Sequence, residues 1–233
     1  MLEIKDLYVG YYKDLNILQG VDLTARTGQI TAVLGANGVG KSTLLKAIYG
    51  FLKPNQGEII LDDEVVTGTP THELISLGLA YIPQQTGIFR WMSVEENLMM
   101  GGWTFKNDKA RLKREMERSY ERFPDLIEKR KQNAGDLSGG QQRMVEVART
   151  LMTDPKVILV DEPTAGLAKL LSEMVYQMLV DLRDIDGLTI ILVDQEIRDA
   201  LKIADHVYVL ELGRNKFEGP VEEFTDLEKA FWV

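Results

Sequence analysis

The chain has 233 residues, enough for one domain with an inserted subdomain and too few for two independent ones. Hydrophobic residues make up 45% and charged residues 27%, and 27 Lys+Arg against 36 Asp+Glu leave a net charge of −9, which argues against a protein that holds nucleic acid by bulk charge. The absence of cysteine excludes disulfides, Cys-ligated zinc and thiol catalysis, and two histidines, His72 and His206, leave little for histidine metal chemistry.

The first residues are charged from Glu3 onward and lack an apolar core, so no signal peptide is expected. The longest apolar runs, such as residues 157–160, fall far short of the roughly 18 a membrane span needs. A soluble, intracellular α/β protein is expected. Strand-like runs at 2–9, 21–25 and 30–34 open the chain, punctuated by Gly20 and Gly28. A glycine-rich turn leads into 41–51, where Leu44, Ile48 and Phe51 share a helical face, with Gly50 and Pro54 as stop signals. A strand at 58–61, a short helix near 73–77 and a strand at 79–82 that stops at Pro83 follow.

From 92 to 152 the pattern is helical. Residues 106–131 carry ten basic and six acidic side chains, with Leu112, Met116, Tyr120 and Phe123 at helical spacing. Because the charges alternate in sign, a solvated amphipathic helix is expected rather than an anion patch. The last third alternates strand 157–160, helix 170–183, strand 188–193, helix 196–203 and strand 207–210. That alternation implies a parallel sheet covered on both faces.

Gly35-Ala36-Asn37-Gly38-Val39-Gly40-Lys41-Ser42 fits the G-x-x-x-x-G-K-[ST] pattern, immediately after a strand and at the opening of a helix. Its glycines let the backbone wrap around phosphates, and the helix start directs N–H groups at them. Lys41 is expected to neutralise β- and γ-phosphate charge, Ser42 to hold Mg²⁺ and Thr43 to donate to the α-phosphate. The apolar strand 157–160 ends in Asp161-Glu162. Asp161 takes the place of a Walker-B acid that reaches the Mg²⁺ shell, and Glu162, just past the strand tip, is placed to polarise an attacking water. About 100 residues after the loop, Leu137-Ser138-Gly139-Gly140-Gln141-Gln142 reads as a helix start capped by Ser138, which is again an anion site. One chain has little use for two γ-phosphate sites unless the second serves a neighbour's nucleotide.

Residues 35–43, Tyr81-Ile82-Pro83-Gln84, 137–142 and Asp161-Glu162-Pro163-Thr164, in that order and spacing, resemble the ATP-binding subunits of ABC transporters across essentially the whole chain. The resemblance implies an α/β P-loop NTPase core with an N-terminal antiparallel β-subdomain and a helical insertion near 92–153, all one domain over 1–233. It implies two ATPase chains packed head to tail, with Ser138, Gly140 and Gln141 acting on the partner's ATP. Tyr12 matches the adenine-stacking aromatic, with Tyr11 as its substitute and burial in the sheet as the alternative. Gln84 matches the residue that contacts Mg²⁺ or the attacking water. Segment 84–98, with Ile88, Phe89 and Trp91, matches the place where the family docks its membrane subunit; packing inside the helical subdomain is the alternative.

Two departures narrow the resemblance. Ala168 stands where the loop 164–168 usually ends in Asp, which removes a carboxylate that would contact the partner's phosphate loop, and Gln195 replaces the usual switch His. Both features, together with Ser93-Val94-Glu95-Glu96-Asn97-Leu98 and the lack of an appended regulatory domain after 215–223, are similar to one ATPase subunit of branched-chain amino acid importers. A urea and short-chain amide group is closely similar. The implied activity is Mg·ATP hydrolysis on the cytoplasmic face of a prokaryotic inner membrane. The implied partners are a second ATPase chain, or a further copy of this one in isolation, two membrane permeases and, indirectly, a solute-binding protein, with no nucleic acid. A non-transport ABC ATPase and a P-loop kinase are the rivals. The first lacks its usual coiled-coil insertion here, and the second has no use for Leu-Ser-Gly-Gly-Gln.

Overall fold

A computed structural model describes residues 1–12 and 15–224; the remainder of the expected 1–233 domain lies outside the described residues. Two sheets form the frame. Strands β1 (Leu2–Val9), β2 (Leu18–Ala25), β4 (Gln56–Leu61) and β5 (Glu64–Val65) make an antiparallel sheet in the order β2-β1-β4-β5. The second sheet has the order β10-β9-β3-β8-β7-β6, built from β3 (Ile30–Leu34), β6 (Leu79–Ile82), β7 (Val157–Asp161), β8 (Thr189–Val193), β9 (His206–Glu211) and β10 (Arg214–Pro220). Its strands are parallel except β10, which runs antiparallel to β9 at the edge.

The helices are α1 (Lys41–Ile48), α2 (Thr71–Ser76), α3 (Val94–Gly101), α4 (Lys109–Arg122), α5 (Asp125–Lys129), α6 (Gly139–Leu151), α7 (Lys169–Asp184), α8 (Ile197–Ile203) and α9 (Val221–Phe224). Side chains alternate across a strand, so the parallel sheet feeds two cores. Ile30, Ala32, Leu34, Ile158, Val160, Ile190 and Leu192 face one core, with helix residues such as Val145, Leu151 and Leu179. Val33, Leu159, Ile191 and Val193 face the other, against Leu44, Leu45 and Ile48 of α1 and the antiparallel sheet. Both faces are therefore covered, but the second is covered by a sheet as well as a helix. Between 94 and 151 the chain runs as helices and their connections. There Leu112, Met116 and Tyr120 of α4 pack on the core while pairs such as Lys113–Glu117 stay outside, as expected of an amphipathic helix.

Three sequence expectations are corrected. Helix α1 ends at Ile48, not at 51, because Gly50 adopts φ +77° and the Phe51 and Gly50 N–H groups close on the Lys46 and Ala47 carbonyls at 2.8 and 3.1 Å. That is a Schellman stop. Phe51 is consequently 55% exposed instead of buried. Strand β10 was not anticipated. It forms a hairpin with β9 through Leu212 and Gly213, both at positive φ (49° and 76°), the backbone of a type I′ turn.

Candidate nucleotide site

The loop between β3 and α1 is drawn tight against its surroundings. A Cβ on Gly35 would stand 2.5 Å from the Leu210 carbonyl oxygen, and one on Gly40 2.6 Å from Leu18 Cδ2; both residues also have positive φ. Only glycine fits there, and the loop lines a cavity of about 450 Å³ with Ile17 and the turn 209–213. Residues Gly35, Ala36, Asn37, Gly38 and Val39 all contribute to that wall. Lys41 and Thr43, at the start of α1, are buried. The Lys41 ammonium donates to the Gly35 and Ala36 carbonyls at 2.9 and 3.1 Å. Burial pulls its pKa below the ordinary value, against Glu162, Asp161 and Asp194, whose charges favour the cation.

Asp161, at the end of β7, receives two hydroxyls: Ser42 donates to Oδ1 at 2.9 Å and Tyr81 of β6 to Oδ2 at 3.0 Å. Burial, reinforced by the Asp161 charge, pushes the Tyr81 phenol well above its usual range, so it remains a donor. Glu162 follows with φ +41°, a left-handed conformation that is uncommon outside glycine, and its N–H donates to the Val193 carbonyl at 2.8 Å. Gln84 donates to Glu162 Oε2 at 2.7 Å. Desolvation raises the Glu162 pKa, helped by Asp161 and Asp194 and opposed by Lys41.

Gln84 is held by a device that the sequence reading did not single out. Arg143 of α6 donates to the carbonyls of Pro83 and Gln84, each at 2.9 Å, and pairs at 2.6 Å with Glu146 on the same helix. Arg143 and Glu146 are 2% and 0% exposed. Glu146 accepts the Gly87 N–H at 2.6 Å, and Arg149 donates to the Gly87 carbonyl at 2.7 Å. The helix that begins with Ser138 therefore grips the loop that carries Gln84. Further along, the Asn97 side chain bonds both backbone groups of Phe89, at 2.8 and 2.9 Å. Ile88, Val94 and Leu98 turn inward, whereas Trp91 is 92% exposed and Phe89 also faces out. The segment 84–98 thus divides between internal packing and a free aromatic surface.

Gln195 follows β8 and is exposed; its side chain makes no hydrogen bond among the described residues. Capping of α8 by Gln195 is the alternative role, but no side chain caps α8; Asp194 instead accepts the Gln195 and Glu196 N–H groups ahead of the helix, at 2.8 and 3.0 Å. Tyr12 is 75% exposed and Tyr11 is exposed too, so neither is a buried sheet residue, and neither lines the loop cavity. Ser138 caps α6 reciprocally: its N–H donates to Gln141 Oε1 at 3.2 Å and its hydroxyl accepts the Gln141 N–H at 3.4 Å. A Cβ on Gly140 would stand 2.8 Å from Leu171 Cδ2 and Met174 Cε of α7, so those two side-chain tips pack directly on the glycine. These signature residues bond within their own turn rather than to the phosphate loop. One cluster therefore gathers Lys41, Ser42, Asp161, Glu162 and Gln84, while Ser138 and Gln141 lie apart from it in the first turn of α6, with Gly140 buried between that turn and α7. A larger cavity of about 710 Å³ between α4, α6 and α7, lined by Phe123, Met144 and Met178, holds none of these residues.

The cluster fits a magnesium nucleotide. A glycine cradle at a helix N-terminus, with a buried cation beside it, suits phosphates. One hydroxyl and one carboxylate are the sparse oxygen set that Mg²⁺ uses when phosphates and water complete its shell.

The sequence pattern of the ABC transporter family matches residues 18–165. The probable branched-chain amino acid transport ATP-binding protein LivF of Archaeoglobus fulgidus is 40% identical over 229 residues, 98% of this chain and 96% of the relative. Among solved structures, the ADP conformation of MJ1267, an ATP-binding cassette of an ABC transporter, superposes with a TM-score of 0.88 at 29% identity, over 100% of this chain and 95% of that one. The dimeric structure of MJ0796, a bacterial ABC transporter cassette, gives 0.79 at 26% identity, over 95% and 99%.

Proposed function

Since the chain belongs to the ABC transporter family and is one of its ATP-hydrolysing subunits, we propose that it powers the import of branched-chain, hydrophobic amino acids. The observation that carries the solute class is the 40% identity to LivF along nearly the full length of both chains. Cassettes of this family work as dimers with permease components, and the site is built for that. Its own Lys41, Ser42, Asp161 and Glu162 converge, while the turn of Ser138, Gly140 and Gln141 lies apart from them and in this reading serves the ATP of a second ATPase chain.

In this reading the loop 35–43 cradles the phosphates, and Lys41 exchanges its two carbonyl partners for β- and γ-phosphate oxygens. Ser42, Asp161 and Gln84 would hold Mg²⁺, which when bound neutralises phosphate charge. Glu162 accepts a proton from the attacking water, and Gln195 holds the γ-phosphate in line with it. Tyr12 and the loop cavity receive the adenosine end. In the same reading exposed Trp91 and Phe89 dock a permease at the cytoplasmic face of a prokaryotic membrane; no described helix is long and apolar enough to cross one. The second ATPase is a different chain, consistent with Ala168 and Gln195 departing from the common pattern.

Purification of this chain from its native host with its accompanying subunits, followed by reconstitution into proteoliposomes, tests the assignment. ATP-dependent uptake of leucine, isoleucine or valine is expected. Uptake of urea or short amides instead would overturn the solute, and isolation without any membrane subunit would overturn the transporter.

A further inference from the structure

Three side chains that the reaction as described does not use are buried together behind Gln195: Thr164, Tyr176 and Asp194. The Tyr176 hydroxyl, from the middle of α7, donates to Asp194 Oδ2 at 2.9 Å and lies 3.2 Å from Thr164 Oγ1. With its single proton committed to the carboxylate, the tyrosine oxygen accepts from Thr164. The other carboxylate oxygen, Oδ1, takes the N–H groups of Gln195 and Glu196. Thr164 sits two residues past Glu162, so the chain of bonds runs from the catalytic loop through a helix to the main chain of Gln195. Between the two loops opens a polar cleft of about 410 Å³, with Gln195 and Gly166 along it and Tyr176 in its wall.

We propose that Tyr176 is a positioning residue for ATP hydrolysis, holding Asp194 so that Asp194 fixes the backbone from which Gln195 reaches the γ-phosphate. The proposal rests on the reading of Gln195 as the switch residue. A carboxylate that is 1% exposed needs partners wherever it sits, so burial alone does not distinguish this arrangement from ordinary packing. What distinguishes it is where the bonds go. Two of the three donors to Asp194 are the amides that set the direction of the Gln195 side chain, and the third comes from a rigid helix rather than from the loop itself. Removing the tyrosine hydroxyl leaves one carboxylate oxygen buried without a donor, and the switch loop is the part free to move in response. A side chain displaced by about an ångström at such a position costs turnover far more than binding.

The test compares Tyr176→Phe and Gln195→Ala with the wild-type full-length chain, purified with its accompanying subunits for turnover and studied alone for amide exchange. Phenylalanine keeps the ring and its packing. In Tyr176→Phe the amides of Gln195 and Glu196 are expected to exchange about tenfold faster, the worth of one hydrogen bond to a charged group. Ile190–Leu192 should keep their protection, ATP affinity should be unchanged and turnover should fall by a similar factor. Asp194→Asn, which keeps an oxygen for the two amides, should retain more of their protection than Asp194→Ala. Wild-type exchange at 195 and 196 in Tyr176→Phe, or protection lost evenly over the whole chain, would overturn the proposal. Wild-type turnover in Tyr176→Phe beside a slow Gln195→Ala overturns it alone; wild-type turnover in Gln195→Ala overturns the switch reading and the proposal with it.

Discussion

On the proposed reading nucleotide binding turns on Lys41, the fixed cation of the loop, whose ammonium already points at oxygen atoms. Lys41→Ala removes hydrogen bonds to charged phosphates worth about 1.5–3 kcal/mol each, so Mg·ATP affinity should fall by about a hundredfold or more. Titration of a folded variant with a fluorescent ATP analogue checks this, and unchanged affinity would remove the loop from the site. Glu162 makes a second, pH-dependent prediction. Its folded pKa is raised by burial, so the stability it contributes is fully present below the unfolded value of 4.5 and is lost as pH rises through the folded value. Ionised Glu162 therefore works against the fold at neutral pH, and Glu162→Gln should raise the melting temperature at pH 7 but not at pH 4 while abolishing turnover. An equal effect at both pH values would refute the burial argument. Both residues were legible because their chemistry is written in adjacent letters. Tyr81 and Tyr176 were not: Tyr81 meets Asp161 across 80 residues and Tyr176 meets Asp194 across 18, and a lone tyrosine in a strand or helix is indistinguishable from packing until its partner is known.

At the scale of elements, helix α6 does two jobs at once. Its first turn is the signature surface with a reciprocal Ser138–Gln141 cap, and its second and third turns hold the Gln84 loop through Arg143, Glu146 and Arg149. A shift of α6 thus moves Gln84, and with it the bond to Glu162. Breaking a buried ion pair by removing one member costs about 3–5 kcal/mol, since the survivor stays buried and uncompensated. Glu146→Ala should therefore lose about that much stability in urea denaturation and leave the loop 83–87 open to proteolysis, whereas Arg149→Ala, which gives up one charge-assisted bond to a carbonyl, should lose about 1.5 kcal/mol. Similar small losses in both would show that the pair does not carry the loop. The helix itself is legible from its Ser138 cap, but its grip on the loop is not, because Arg and Glu three apart on a helix read as a solvated surface pair. The same limit explains the rest of the fold. The parallel core strands were legible as uninterrupted apolar runs, while β10, with its mixed composition, became a strand only by pairing with β9.

Taken as a whole, the molecule keeps its phosphate loop and its Ser138 turn apart, the two half-sites of the proposed reading. The phosphate loop, Asp161 and Glu162 lie at the ends of the parallel strands, whereas Ser138 opens a helix whose polar groups bond within their own turn. A donor surface of that kind becomes useful when a second ATPase chain presents its γ-phosphate to it, so ATP should act as the adhesive between the two. Hydrolysis should then dissolve the adhesive, and Glu162→Gln, which retains shape and hydrogen bonding but cannot take a proton from water, should preserve it. Sedimentation of the full-length Glu162→Gln chain with saturating Mg·ATP is expected to show a dimer, formed with the second ATPase where that is co-expressed. Addition of Ser138→Arg to the same chain should abolish it, because a large cation then occupies the surface meant for the partner's phosphate while the chain's own loop is untouched. ATP affinity measured on the Ser138→Arg monomer supplies the control. Should the double variant bind ATP normally yet still dimerise as well as Glu162→Gln, Ser138 would lie outside the interface and the composite site would be wrong. If instead it fails to bind ATP at all, the signature and the phosphate loop belong to one site within one chain, and the separation described here is not how the molecule works.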